Sequence, residues 1–136
     1  MNKNPESTEF YPQIRNVKVI LDNSILSKSG GGLVKNNSKY FIVENCAFIG
    51  NIESDDSGGI CGQHCGTNGH IIIKNCFSIN NISGSFSGGI CGSNIAYNGI
   101  CMIDSCYSNG DITGESSGGI VGSYFAQEGE GYIGNC

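Results

Sequence analysis

The chain contains no tryptophan, a single arginine (Arg15) and two prolines (Pro5 and Pro12), and only 14% of its 136 residues are charged. Each shortage removes a class of protein. Seven scattered Lys and Arg residues with a net charge of −5 cannot form the clustered basic face that a phosphate backbone requires, so nucleic acid is not an expected partner. No apolar run approaches the roughly 18 residues that a membrane-crossing helix needs. Met1 to Gln13 lacks the apolar core of a secretory signal peptide, so the chain is expected either not to be exported by that route or to be an excerpt of a longer one. A charged fraction this far below the usual quarter, with isoleucines placed at regular intervals, also argues against a disordered segment.

What is abundant is glycine, at 22 residues. Each interior glycine costs a helix about 1 kcal/mol relative to alanine, so a helical bundle is excluded and a turn-rich β protein remains. The length fits one domain.

Internal periodicity decides the fold. Asn45-Cys46, Asn75-Cys76, Ser105-Cys106 and Asn135-Cys136 recur at intervals of 30. Between them lie Ser57-Gly58-Gly59-Ile60-Cys61-Gly62, Ser87-Gly88-Gly89-Ile90-Cys91-Gly92 and Ser117-Gly118-Gly119-Ile120-Val121-Gly122. Ile52, Ile82 and Ile112 stand six residues before each Gly-Gly pair, and Ile73, Ile103 and Ile133 three before each repeat cysteine. A degenerate first copy is legible too. Gly31-Gly32-Leu33-Val34 stands for the Gly-Gly-Ile-Cys block with Ile25 six before it, and Ile14-Arg15-Asn16-Val17 parallels Ile73-Lys74-Asn75-Cys76. The expected organisation is an N-terminal lead and cap over 1–16, then four coils over 17–46, 47–76, 77–106 and 107–136.

A thirty-residue repeat cannot bury its apolar positions alone. Stacking places equivalent residues about 4.8 Å apart, so isoleucine sits on isoleucine and cysteine on cysteine. The expected fold is all-β, a parallel β-solenoid (β-helix) about 20 Å long, right-handed because crossovers between parallel strands nearly always are. Glycine pairs are expected at corners that need positive φ or close backbone approach. Phe10-Tyr11-Pro12 is expected to lie across the first coil. The last coil stops at Cys136 without a cap, which predicts either further coils or end-to-end self-association through unpaired strand edges.

Column comparison tests each residue that invites a chemical reading. Asp56-Ser57-Gly58-Gly59 resembles the nucleophile segment of trypsin-like serine proteases, yet Ser57, Ser87 and Ser117 share one column and one following Gly-Gly. A nucleophile is not needed once per coil and requires a base within reach, so a turn serine is expected. Cys61-Gly62-Gln63-His64-Cys65 resembles a redox Cys-x-x-Cys motif with one residue too many, and Cys61, His64 and Cys65, with His70 nearby, are the weak metal candidates. Cys61 is matched by Cys91 and Val121, Cys65 by Ile95 and Phe125, and His64 by Asn94 and Tyr124, which treats cysteine as a core hydrophobe. No cofactor is expected.

The ladder Cys46, Cys76, Cys106 and Cys136, headed by Val17, is expected to stay reduced. Strand spacing exceeds the Cβ separation of about 3.8 Å that a disulfide prefers. Glu53, Asp55, Asp56, Asp111 and Glu115 gather before the Gly-Gly pairs, but no second acid column or basic partner completes an acid/base pair. The strict Gly-Gly-x-Gly-x-Asp period of calcium-binding β-rolls is absent. Asn36-Asn37-Ser38 and Asn81-Ile82-Ser83 are glycosylation sequons. Thr67 and Thr113, the threonines after residue 10, share no column and make no ice-binding array.

Ile103-Asp104-Ser105-Cys106-Tyr107-Ser108-Asn109-Gly110-Asp111-Ile112-Thr113-Gly114, followed by Ser117-Gly118-Gly119-Ile120-Val121-Gly122, resembles the GLUG-motif repeat. That repeat has an Asn-Cys-Tyr stretch, a short glycine-punctuated strand, then Gly-Gly-Leu-Val-Gly. Gly31-Gly32-Leu33-Val34 carries the leucine form, with Lys35 in place of the last glycine. The resemblance spans 17–136. It implies a repeat of bacterial surface proteins and adhesins, found also beside the catalytic region of IgA-specific metallopeptidases, whose His-Glu-x-x-His motif this chain lacks. A cell-surface, extracellular or virion setting is what the resemblance implies.

The expected function is therefore a non-enzymatic structural or adhesive scaffold that contacts a protein or glycan surface or neighbouring copies. The alternatives are an accessory segment of a larger exported enzyme such as a peptidase, and a glycan-active β-helix enzyme.

Overall fold

The structure, a computed structural model, describes residues 10–136. Nine strands follow in order: β1 (Gln13–Arg15), β2 (Lys18–Ile20), β3 (Tyr40–Glu44), β4 (Ala47–Ile49), β5 (His70–Lys74), β6 (Phe77–Ile79), β7 (Ile100–Asp104), β8 (Tyr107–Asn109) and β9 (Glu130–Gly134). The odd strands form one parallel sheet in the order β1-β3-β5-β7-β9, and the even strands a second in the order β2-β4-β6-β8. A third wall is made of single parallel bridges, Gly58 to Gly88 to Gly118 and Cys61 to Cys91 to Val121. The molecule is a β-solenoid of about four turns with no helix among the described residues.

Register follows the repeat. Ile73 pairs with Ile103 and Ile103 with Ile133, while Phe77 lies under Tyr107 in the other sheet. The first coil departs from it. Ile14 pairs with Val43, 29 residues on, and Gly31 with Gly58, 27 residues on, before Tyr40 and His70 restore a spacing of 30. Residues 21–39 absorb the difference without a strand. Ile25 is displaced as a result: it forms no bridge to Ile52 and is 63% exposed, whereas Leu26 packs against the core.

The interior is a set of ladders: Val43, Ile73 and Ile103; Cys46, Cys76 and Cys106; Ile52 and Ile82; Ile60 and Ile90. Phe48 fills the place that Ser78 occupies one coil on, above the bare backbone of Gly32 and Gly59. On the outside, Arg15, Glu44, Lys74 and Asp104 are successive partners across the five-stranded sheet, so the charges alternate from coil to coil. The Arg15 Nε to Glu44 Oε2 distance is 3.1 Å at a largely exposed site. Such a pair adds at most about 1 kcal/mol, so the column favours register more than stability.

Corners are turned mainly by asparagine. Asn16, Asn45, Asn75, Ser105 and Asn135, each between paired strands or at the last strand's end, have φ between 51° and 59°. Asparagine enters this left-handed region more readily than other side chains because it bonds its own backbone locally. The Gly-Gly pairs are not at positive φ; their requirement is space. A Cβ on Gly59 would land on the carbonyl oxygen of Gly89 in the next coil, and one on Gly89 would land on that of Gly119.

Tyr11 does not lie across the open edge of the first coil as expected. Its ring packs beside the stack, 5.3 Å from Tyr40 and edge-on at 5.5 Å to His70, and its hydroxyl lies 3.3 Å from His70 Nδ1. Phe10 is exposed, Gln13–Arg15 of the expected lead are β1 of the sheet, and its residues 1–9 lie outside those described. At the other end β8 and β9 each pair along one edge only, and Ile112, Tyr132 and Ile133 are exposed.

Two glycines of one column should therefore respond differently to a methyl group. Gly59→Ala should cost about 1–3 kcal/mol through overpacking against Gly89. Gly119→Ala meets nothing nearer than Ile112 Cδ1 at 3.8 Å and should stay within about 0.5 kcal/mol of the parent. Urea unfolding of the two variants checks this; equal losses would mean that the coils are not spaced as described.

Candidate functional site

The serine column is fully engaged, with Ser57 and Ser87 buried and Ser117 half-buried. Ser57 Oγ donates to the carbonyls of Ser27 and Asp55 at 3.2 and 3.1 Å, and Ser87 Oγ to those of Ser54 and Ser85 at 2.9 and 3.2 Å. Ser87 Oγ also accepts from the Ser57 amide at 3.1 Å, and Ser117 Oγ from the Ser87 amide at 3.0 Å. Each hydroxyl thus joins its own turn to the neighbouring coil. Ser57 and Ser87 have no solvent exposure, and their local bonding is that of turn residues.

The carboxylates are similarly occupied. Asp55 Oδ1 accepts from the Ser85 amide at 2.9 Å, and Asp56 Oδ1 accepts from Ser93 Oγ at 2.6 Å. Ser93 Oγ in turn accepts from Gln63 Nε2 at 3.2 Å, and Gln63 Oε1 accepts from Ser29 Oγ at 2.9 Å. This chain of polar groups crosses the coils along one corner. Glu53 stands apart in a shallow pocket with Asp22, Asn23 and Asn51 of the first coils. Of the sequons, Asn36 is half-buried, and Asn81 is exposed but its Oδ1 accepts from the Asp111 amide at 3.0 Å.

Cys61 and Cys65 are fully buried, and Cys65 Sγ donates to the Lys35 carbonyl at 3.3 Å. His64 sits at φ 58°, in a left-handed column with Asn37, Asn94 and Tyr124, so its place in the motif is a backbone corner. Among the described residues no three His, Cys, Asp or Glu side chains are grouped to hold a metal ion. What the structure brings together instead is a thiol cluster that includes Cys101. Its thiol lies near enough to Cys61 and Cys91 to perturb them, and Cys61 shares hydrogen bonds with Cys65 and Cys91. The sequence carried a faint signal for Cys101, since it lies two residues before Ile103 and must point to the same side of its strand.

The ladder cysteines bond to the backbone two residues earlier: Cys46 to Glu44, Cys76 to Lys74, Cys106 to Asp104 and Cys136 to Gly134, at 3.3, 3.1, 3.4 and 3.0 Å. Each also lies 3.6–3.9 Å from a carbonyl of the coil before. A thiol is small enough for the column and still donates weakly, which explains cysteine there beyond packing. All eight thiols are free, seven buried and Cys136 exposed.

Burial and mutual contact hold Cys61, Cys65, Cys76, Cys91 and Cys101 protonated, while the hydrogen bond with Cys76 lowers Cys106. For Cys61 the hydrogen bond from Cys65 acts downward, but the bond with Cys91 and burial prevail and the pKa is well above the ordinary value. The hydrogen bond with Cys61, then burial, raises Cys65; that with Cys106, then burial, raises Cys76. Burial pushes Cys91 up to about 11 and raises Cys101 as well. Reactivity belongs to the thiolate, so the five raised thiols are inert sulfurs.

Beside the five-stranded sheet a groove of about 590 Å³ crosses the coils. Its floor is the column Gly69, Gly99 and Gly129, flanked on one side by Asn68, Asn98 and Glu128. The recurrence of Asn68-Gly69, Asn98-Gly99 and Glu128-Gly129 at intervals of 30 marks this column in the sequence as plainly as the cysteines mark theirs.

Parallel strands, thirty-residue coils and ladder packing define the chain as a β-solenoid repeat protein. No family model, curated protein or solved structure matches it.

The thiols give a direct test of this interior. One thiol, Cys136, should react rapidly with Ellman's reagent in the folded protein and eight after unfolding in guanidinium. Because the folded state keeps thiol protons that the unfolded chain releases, stability should hold below about pH 8.5 and fall above it. The slope should reach about 1.4 kcal/mol per pH unit for each thiol still protonated in the folded state and ionised in the unfolded one. Rapid labelling of several thiols in the folded protein, or melting that is flat through pH 10, would contradict the packing.

Proposed function

We propose that the chain is a non-enzymatic structural or adhesive scaffold, as the resemblance to GLUG-motif repeats implies, and that it extends by adding a second copy end to end. The observation that carries the scaffold reading is the consumption of reactive groups by the stack. The serine column, Asp55 and Asp56, and the interior cysteines are bound to turns and to neighbouring coils. A cell-surface, extracellular or virion setting belongs to the same proposal.

Stacking follows from the unpaired edges. If a second chain continued the register, its Gln13, Ile14 and Arg15 would stand over Tyr132, Ile133 and Gly134, and its Val17 over Cys136. Ile14 and Val17 already head these same columns within one chain. Such contact is heterologous and repeats without closing, which gives a filament. The β9 edge serves equally for further coils of a longer chain, which favours the second reading, an accessory segment of a larger exported enzyme.

Gly119 separates stacking from other association. Its methyl group is harmless within the chain, but a coil laid on the last one would place a carbonyl where Gly89 now meets that of Gly119. Sedimentation velocity from about 10 µM to about 1 mM should show concentration-dependent growth for the parent and none for Gly119→Ala, at equal melting temperatures. A parent that sediments as a single chain throughout, or a variant that associates like the parent, would defeat the stacking proposal.

A further inference from the structure

We infer that the groove beside the five-stranded sheet binds a neutral oligosaccharide, lying along the axis of the stack. The inference deepens the adhesive reading by naming a partner, and rests on it to that extent.

The groove exists because one column has no side chains. A Cβ on Gly69, Gly99 or Gly129 would strike the carbonyl of Lys39, Gly66 or Gly99 respectively, so the floor is bare backbone by necessity. The walls stand at the coil spacing of about 4.8 Å, close to the length of one pyranose ring. An extended glycan laid along the axis would therefore meet a new set of wall residues roughly once per sugar.

The walls carry the chemistry that sugars need. Tyr40, half-buried and braced by the buried ring of Tyr11, closes one end and can receive the apolar C–H face of a sugar. Asn98 Nδ2 donates to Asn68 Oδ1 at 2.7 Å, and the pair keeps further amide donors and acceptors beyond that bond. Glu128 and Glu130 line the other end, and Glu128 Oε2 already accepts from Tyr97 O–H at 3.0 Å, which holds that carboxylate in place. Carboxylate and amide oxygens are acceptors for hydroxyl groups, and convergent polar groups in a concave site orient a ligand.

Other ligand classes fit less well. A peptide added as a strand needs open backbone groups. Here the amides of Asn68, Asn98, Ile100 and Glu130 already donate to Tyr97, Gln127, Gly69 and Gly99 at 2.8–3.0 Å. Two carboxylates in the groove oppose an acidic sugar or a phosphate. A cationic peptide would engage the carboxylates but leave the amide pair and the tyrosine end without a role.

The test is a titration followed by amide ¹H–¹⁵N chemical shifts, with cellohexaose, maltohexaose and chitohexaose as neutral probes and hexalysine and an oligogalacturonate as charged ones. At least one neutral probe should saturably shift Asn98, Gly99 and Gly129, with a Kd of about 1 mM or tighter. Glu130→Gln and Asn98→Gly, the latter suited to the residue's φ of 47°, should each weaken it about tenfold without lowering the melting temperature. No shift with any neutral probe, shifts with a charged probe alone, or variants that bind like the parent would overturn the inference. Cleavage of a bound probe would support the groove while refuting the non-enzymatic reading, and sedimentation of the Gly119→Ala variant bears on stacking alone.

Discussion

A coil of thirty residues has no interior of its own, and the whole molecule depends on the parallel hydrogen bonding of each coil to the next. Bonds such as Ile90 N to Ile120 O at 3.0 Å and Phe77 N to Cys46 O at 3.1 Å fix equivalent residues directly over one another. Once that register is set, every side chain is surrounded by its own counterparts, and substitution is judged by column. Isoleucine over isoleucine packs at strand spacing without a gap, as in the buried run Ile73 to Ile103. A one-residue slip would turn each strand's core face outward, so the columns resist drift.

The same constraint draws chemically capable residues into the bonding between coils. A serine that serves the turn once serves it in each coil: Ser57, Ser87 and Ser117 all donate to their own turn, and Ser87 and Ser117 also accept the amide of the serine one coil before. The exceptions are columns whose side chains face outward beside a gap. The axial groove is such a place: its glycine floor is required by coil-to-coil approach, and its walls are free to vary, from Asn68 to Glu128 and from Tyr40 to Glu130. Structure demands the concavity, and only its lining is open to selection for a ligand.

Much of this was legible in the sequence because a repeat supplies its own comparison. The Gly-Gly, cysteine and isoleucine columns emerged from spacing alone, and the bridges of Gly58 to Gly88 and Ile52 to Ile82 follow it. What spacing could not supply was conformation. Asparagine and glycine both allow positive φ, and only the backbone shows that Asn75 uses it while Gly59 needs room. Nor does spacing locate compensating changes of length. Gly31 and Tyr40 are both in register with the second coil, yet at different offsets, and the slack between Leu21 and Gly31 turns Ile25 outward. Tyr11 falls in line with Tyr40 and His70 by the register of β1, yet spacing alone does not show that its ring packs on both.

Stability in such a stack is shared between neighbours, and an end coil has only one. Ile82 and Ile103 are buried between coils at 1% and 0% exposure, while their counterparts Ile112 and Ile133 on the last coil are 45% and 43% exposed. Fully covering an isoleucine side chain contributes roughly 1.5–3 kcal/mol, so an uncovered last coil forgoes several such contributions while paying the same chain entropy. Whatever covers the β9 edge, a further coil or a second copy, would bury these side chains and stabilise the stack. The first coil likewise leaves Val17, Ile20 and Ile25 exposed, so both edges of the stack gain from a neighbour.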